Sequence, residues 1–159
     1  MKKIISLFVL AFLFNSCEED VKFSNPAVQG KLDNVLWRAI DFQATTDLSG
    51  ALTLNAYTSN QELNLKTPSK NPGVYVLGEN SARSASFTTN FSGETLIYST
   101  GSGIGGDGEI VITEFDGANN TVTGTFRFNA VNIENNPLGG ELLNMQNGVF
   151  YKIPVFAAQ

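Results

Sequence analysis

The chain has 159 residues, enough for one domain with a proper core, and it carries a formal net charge of −5. It has one cysteine, which excludes a disulfide within the chain, and its acidic balance argues against nucleic acid as a partner. Histidine is absent from the sequence, so serine–histidine–aspartate and cysteine–histidine catalysis and the usual zinc, copper and iron sites are excluded.

Residues 1–16 have the pattern of a secretory signal peptide. Lys2 and Lys3 supply the positive start, and residues 4–14 form an apolar run that only Ser6 interrupts. This run is shorter than the roughly 20 apolar residues that a membrane-spanning helix needs. We therefore expect the segment to direct export and to be removed.

Cys17 follows directly and is predicted to be lipidated. A lone thiol in an exported protein invites cross-linking, and acylation removes that risk while it creates a membrane anchor. The segment resembles a lipoprotein signal, with Ser16 just before the cysteine and Phe14 three residues before it. The acidic residues 18–20 resemble a surface-export signal of Bacteroidota lipoproteins. We expect an outer-membrane location, and the domain faces either the cell exterior or the periplasm.

Residues 17–34 are predicted to be a polar tether, because the segment is polar and contains Pro26 and Gly30. From residue 35 to residue 159, short runs rich in β-branched and aromatic residues are separated by Gly, Asn and Asp about every ten residues. This pattern predicts one antiparallel all-β domain, a sandwich or a meandering barrel of about eight to nine strands. Residues 142–145 are the one place where we allow a helical turn.

The expected strands in chain order are residues 35–42, 52–57, 62–67, 74–77, 85–90, 95–100, 108–115, 121–131 and 148–156. Successive side chains of a strand point to opposite faces. Tyr57 therefore lies opposite the apolar face of its strand. In the strand of residues 121–131, Phe126 and Phe128 are expected to be buried while Arg127 faces solvent.

A resemblance rests on residues 108–116, 122–130, 147–150 and 153–154. These segments read GEIVITEFD, VTGTFRFNA, NGVF and IP. The chain is similar to an uncharacterised family of small Bacteroidota outer-membrane lipoproteins that carry a domain of unknown function. The resemblance covers most of the chain from Trp37 onward. It implies a location in the cell envelope, and it implies no catalytic residue.

Carboxylate pairs are the main chemistry left for an enzyme without histidine. Glu109 and Glu114 are an odd number of positions apart, so a regular strand would place them on opposite faces. The glycine-rich residues 101–106 match a dinucleotide-binding pattern, but they lead into a strand, so we expect an inter-strand loop. Asp107 and Glu109 leave calcium binding at this loop as an open alternative. Otherwise we predict no catalytic residue, no cofactor and no metal site.

Aromatic side chains are the other candidates for a functional role, because sugar rings stack on flat side chains. Trp37 and Tyr57 are the residues that we single out for ligand binding, although core packing is the more frequent role of aromatic residues in strands. The leading interpretation is a membrane-anchored, non-catalytic module that binds a glycan, a peptide or another envelope protein. The alternatives are a structural or assembly component of an outer-membrane complex and a hydrolase that uses carboxylates alone.

Overall fold

The computed structural model describes residues 27–80, 82–91 and 93–158. The predicted signal peptide and the lipidation site Cys17 lie outside these ranges. Eleven strands and no helix make up the regular structure of the described part, which confirms the all-β fold. Within these ranges, no helix is long and apolar enough to cross a membrane.

The strands in chain order are β1 (Val28–Leu32), β2 (Val35–Arg38), β3 (Asp41–Thr46), β4 (Leu52–Tyr57), β5 (Gln61–Thr67), β6 (Gly73–Leu77), β7 (Ser84–Phe91), β8 (Glu94–Ser99), β9 (Asp107–Asp116), β10 (Thr121–Asn132) and β11 (Leu142–Ala157). The prediction of eight to nine strands was too low for two reasons. One strand lies in the segment that we expected to be tether, and the expected strand of residues 35–42 is divided into β2 and the start of β3.

Strand β1 moves the boundary of the folded domain ahead of residue 35. Val28 is fully buried, and Leu32 packs against the core. The tether prediction was therefore wrong for residues 28–34. The sequence VQGKL misled because its glycine and its polar residues are typical of a linker as well as of a strand.

Two local predictions also need correction. The chain leaves β2 at residues 39–40, where Ala39 N–H donates to Val28 and Ile40 N–H donates to the carbonyl of Tyr57. The chain passes there from one layer of the fold to the other, which interrupts the expected strand. Residues 142–145 begin β11 instead of forming a helical turn, because Leu143 and Met145 alternate inward opposite β10.

The strands form one hydrogen-bonded sheet that folds into two layers. The six-stranded layer has the order β2-β1-β11-β10-β9-β6, and the five-stranded layer has the order β3-β4-β5-β7-β8. The long strands β10 and β11 belong to the six-stranded layer and also pair with the edge strands of the five-stranded layer. β11 continues past β1 to pair with β3, and β10 continues past β9 to pair with β8, so the layers are joined into a closed ring. The β11–β3 pairing is parallel, in contrast to the wholly antiparallel arrangement that we predicted.

The core lies between the layers. Its largest fully buried side chains include Phe87 from the five-stranded layer and Phe126, Phe128 and Phe150 from the six-stranded layer. Trp37 meets the ring of Phe87 edge to face, with 5.9 Å between the ring centroids, and so connects the two layers. The predicted burial of Phe126 and Phe128 is confirmed.

Two glycines make room for aromatic rings at the centre of the six-stranded layer. Gly124 of β10 lies opposite Phe150 of β11, and Gly148 of β11 lies opposite Phe126 of β10. A Cβ atom on either glycine would clash with the ring across from it. The two rings stack with 6.5 Å between their centroids and 18° between their planes. Each ring therefore covers the glycine of the neighbouring strand.

Candidate functional site

The outward side of the five-stranded layer is a largely polar surface, which we call the Tyr57 face. Its pairings place outward side chains in two cross-strand rows. One row consists of Asp41, Tyr57, Glu62, Thr88 and Ile97, and the other consists of Gln43, Asn55, Asn64, Ser86 and Ser99. The residues between them on each strand point into the core, so the surface results from strict alternation.

Tyr57 lies on this surface, and Gln43 and Asn55 belong to the neighbouring row of the same face. That row is about 7 Å away along the strand. The side chain of Tyr57 is half-buried, so part of the ring is open to a ligand, and an aromatic ring is the kind of group on which a sugar can stack. Asn55 is itself held in place by a hydrogen bond from Asn64.

A cleft of about 210 Å³ lies beside Tyr57, at the turn between β4 and β5. Its lining offers the aromatic ring of Tyr57 and otherwise hydroxyl, amide and carboxylate groups. The lining residues are Tyr57, Thr58, Ser59, Asn60, Gln61, Glu62, Thr88 and Asn90. Each of these side chains can donate or accept hydrogen bonds. The cleft can therefore bind a ligand that is rich in hydroxyl groups.

The walls of the cleft are fixed by hydrogen bonds within the β4–β5 turn and between this turn and the end of β7. Thr58 N–H donates to the carbonyl of Gln61 at 2.8 Å, and Asn90 N–H donates to the carbonyl of Asn60 at 2.9 Å. The Asn60 amide donates back to the carbonyl of Asn90 at 3.3 Å. Because the walls are formed before any ligand arrives, binding orders little of the chain.

Trp37, the other residue that we single out for ligand binding, lies in the core. Its side chain is only 5% exposed and packs against Phe87. Strand β2 turns this residue toward the inside of the layer. The indole N–H nevertheless donates to Oε1 of Gln61 at 2.9 Å, so Trp37 holds one wall of the cleft from behind.

The electrostatic surroundings of Tyr57 are negative. Burial is the largest cause that raises the pKa of its hydroxyl above the usual value, and the charge of Glu62 is the next. Asp41 raises this pKa further, while hydrogen bonds to Gln43 and Asn55 act in the opposite direction. Tyr57 therefore remains a neutral hydrogen-bonding group beside two carboxylates at physiological pH.

Glu109 and Glu114 do not face opposite sides, contrary to our prediction. Strand β9 contains one extra residue, so Glu109 pairs with Arg127 and Glu114 with Thr123, which share the outer face. Four strand positions separate the two acids by about 14 Å, farther than the roughly 5–10 Å of a glycosidase pair. Arg127 also binds Glu109 at 3.0 Å. The arrangement argues against a hydrolase based on these two acids.

Residues 101–106 form a turn between β8 and β9, as predicted, with Gly101 bridged to Gly105. Of the two acids that we considered as calcium ligands, Asp107 accepts a hydrogen bond from Asn129 at 2.7 Å and Glu109 is paired with Arg127. In the described ranges, no group of three or more Asp, Glu, Cys or His side chains is arranged to hold a metal ion.

A larger cavity, of about 400 Å³, lies at the loop between β10 and β11. Its central polar group is the amide of Asn132, which donates to the carbonyls of Asn136 at 3.0 Å and Gly140 at 3.3 Å. This amide is therefore occupied in holding the loop. None of the residues that line the cavity is aromatic. The Tyr57 face is the better candidate because its polar groups surround an available ring.

The fold and the site define a two-layer all-β domain with a polar surface cleft. The model of a family of domains of unknown function, DUF6252, matches residues 24–154, and the chain belongs to this family. The predicted resemblance to a domain of unknown function is thus confirmed, and the match includes β1. No curated protein and no solved structure was found to match the chain.

Proposed function

We propose that the protein is a lipid-anchored outer-membrane lipoprotein whose domain is a non-catalytic glycan-binding module. The cleft beside Tyr57 is the observation that carries the binding function. A sugar ring has hydroxyl groups around its edge and C–H groups on its faces. The amides and hydroxyls of the cleft suit the edge, and the Tyr57 ring suits the face.

The anchor is supported by the sequence around Cys17. If Cys17 carries the lipid, nine residues separate it from Ala27, where the described part of the chain begins. Nine extended residues span at most roughly 32 Å. The glycan-binding face is then held close to the bilayer surface, where envelope polysaccharides are concentrated.

Binding is tested on the purified full-length lipoprotein in detergent with a glycan array. We expect Tyr57→Ala to weaken binding about two- to tenfold, because an aromatic stacking contact contributes about 0.5 to 1.5 kcal/mol. Tyr151→Ala is the matched control, since Tyr151 is an exposed tyrosine of the six-stranded layer. An array without any bound glycan, or an equal loss in both variants, contradicts the function.

The membrane location is tested with the variant Cys17→Ala. The variant should remain folded and become soluble, because the change removes only the acylation site. Membrane fractionation and mass spectrometry of the amino-terminal peptide provide the measurement. A wild-type Cys17 without an acyl mass, or a variant that stays with membranes after carbonate and salt washes, would contradict the anchor.

A second function, as an assembly component of an outer-membrane complex, is favoured by the outward side of the six-stranded layer. Val74, Val76, Val149 and Tyr151 are all exposed there. Apolar groups on a sheet surface are typical of protein interfaces. In this case Val74→Lys combined with Val149→Lys should release the lipoprotein from a solubilised membrane complex, and a complex of unchanged composition counts against this function.

A further inference from the structure

Tyr57 is flanked by an acidic residue on each neighbouring strand. Asp41 on β3 and Glu62 on β5 are its direct cross-strand neighbours and project from the same face. Side chains in such positions have Cβ atoms about 4.5 to 5.5 Å apart. Any ligand that stacks on Tyr57 therefore comes close to both carboxylates.

Neither carboxylate forms an ion pair with a lysine or arginine in the described part of the chain. The two ion pairs found within residues 27–80, 82–91 and 93–158 use other acids, Glu79 and Glu109. Lys66 shares the Tyr57 face, but it lies four positions along β5 from Glu62, a distance of about 14 Å. The negative net charge of the chain adds to the negative charge of this face.

The cleft itself contains one charged group. Glu62 is the only ionisable carboxylate or ammonium among its lining residues, and the others are tyrosine, hydroxyl and amide side chains. The cleft therefore offers no lysine or arginine to a uronate or a sulfate, while it offers a carboxylate and an aromatic ring to an amine.

We infer that the Tyr57 face selects its glycan by charge and that its ligand contains sugar units with a free amino group. The inference rests on the proposed glycan-binding function and specifies the class of glycan. A protonated amine is attracted by Asp41 and Glu62 and by the face of Tyr57. An N-acetylated sugar lacks this attraction, and an acidic sugar is repelled.

Three oligosaccharides of equal length test the inference: oligomers of glucosamine, of N-acetylglucosamine and of galacturonic acid. Their affinities for the full-length lipoprotein in detergent are measured by calorimetry. At low salt the glucosamine oligomer should bind roughly fivefold more tightly than the N-acetylated oligomer, as expected for two exposed charge contacts. The preference should largely disappear at about 1 M salt, where the screening length is about 3 Å.

Charge-neutralising variants locate the effect. Glu62→Gln and Asp41→Asn should each reduce the preference for the glucosamine oligomer over the N-acetylated oligomer about twofold. Glu114→Gln, which removes an exposed acid from the other layer, is the matched control and should keep the wild-type preference. Two independent variants keep the test valid if one of them fails to fold.

The outcomes separate the two proposals. If the galacturonate oligomer binds as tightly as the glucosamine oligomer, or if Glu114→Gln lowers the preference as much as Glu62→Gln does, charge selection by this face is wrong while glycan binding stands. If the wild-type lipoprotein binds none of the oligomers and no glycan on the array, the proposed function fails together with the inference.

Discussion

The two layers of the fold differ in regularity. The four pairings within the five-stranded layer each align six residue pairs without a shift. In the six-stranded layer, the pairings of β1 with β11, β10 with β11 and β9 with β10 all contain shifts. Bulges bend strands and increase their twist, and the bulged layer is the one whose long strands must reach both edges of the other. The bends that close the ring thus lie in the six-stranded layer, and the five-stranded layer remains regular.

The outer surfaces follow from this difference. Strict alternation in the five-stranded layer gives a largely polar surface around Tyr57, while the six-stranded layer exposes valines beside an isolated ion pair. Sites on regular strands are held more precisely than sites on loops. The layer without bulges is therefore the one suited to present a rigid binding face.

The largest expected effect tests whether the layers share one core. Phe126→Ala in the six-stranded layer and Phe87→Ala in the five-stranded layer should each lower the free energy of unfolding by about 3 to 5 kcal/mol. Because both rings are fully buried in the same cluster, each variant should unfold in a single transition in urea. Arg127→Ala, on the outer face, should cost less than about 1 kcal/mol. A loss below about 1 kcal/mol for either phenylalanine, or separate transitions, would show two independent layers.

The next effect tests the glycine–aromatic pairs, which the five-stranded layer does not contain. Gly148→Ala should destabilise the protein by about 1 to 3 kcal/mol, because the new methyl group must displace the Phe126 ring. Gly117→Ala is the control, since the nearest atom to its added Cβ is 3.9 Å away. We expect Gly117→Ala to stay within about 0.5 kcal/mol of wild type in urea unfolding. Equal losses in the two variants would contradict the packing argument.

A smaller effect concerns the contact between the layers at Trp37. Trp37→Phe removes the hydrogen bond to Gln61 and part of the contact with Phe87, and it should cost about 1 to 2 kcal/mol. Glycan affinity should also fall, because the freed Gln61 lines the cleft. Urea unfolding and calorimetric binding provide the two measurements. Weaker folding with unchanged affinity would show that Trp37 supports the fold and not the site.

The smallest effect compares one turn from each layer under acid. Hydrogen bonds, chiefly from the side chain of Ser49 for Asp47 and of Asn119 for Asp116, hold the pKa of each carboxyl below its usual value of 3.8. A lowered pKa in the folded state gives stability above the unfolded-state pKa, and this stability is lost as the pH falls through the folded-state pKa. Asp47→Asn and Asp116→Asn should therefore each lose less stability than wild type below about pH 4. NMR titration of the two carboxyls checks the direction, and a pKa above 3.8 contradicts it.

The same contrast explains what could be predicted from the sequence. Strand β10 has no extra residue of its own, so simple alternation assigned Phe126 and Phe128 to the core. The extra residues lie in its partners β9 and β11, and alternation therefore misplaced Glu114 relative to Glu109. A bulge depends on how two strands pair, and a single strand sequence does not specify it.

The candidate site could be predicted only in part for a related reason. Alternation within β4 placed Tyr57 on the outer face, as the structure confirms. Its neighbours Asp41, Glu62 and Thr88 come from three other strands, and their registers are set by the intervening turns. For Trp37 the sequence left both ligand binding and core packing open, because its strand gave no sign of which side would meet Phe87.

The pairing of β1 with β11 has a consequence for how the chain is made. Asn144 N–H donates to the carboxylate of Asp33 across a separation of 111 residues, and the same late strand closes the ring against β3. Contacts between such distant segments form slowly, and here they must await synthesis of β11. A nascent chain therefore has no completed ring while most of it is being translated. If the protein is exported as proposed, the chain therefore stays unfolded while its amino-terminal signal enters the translocation pore.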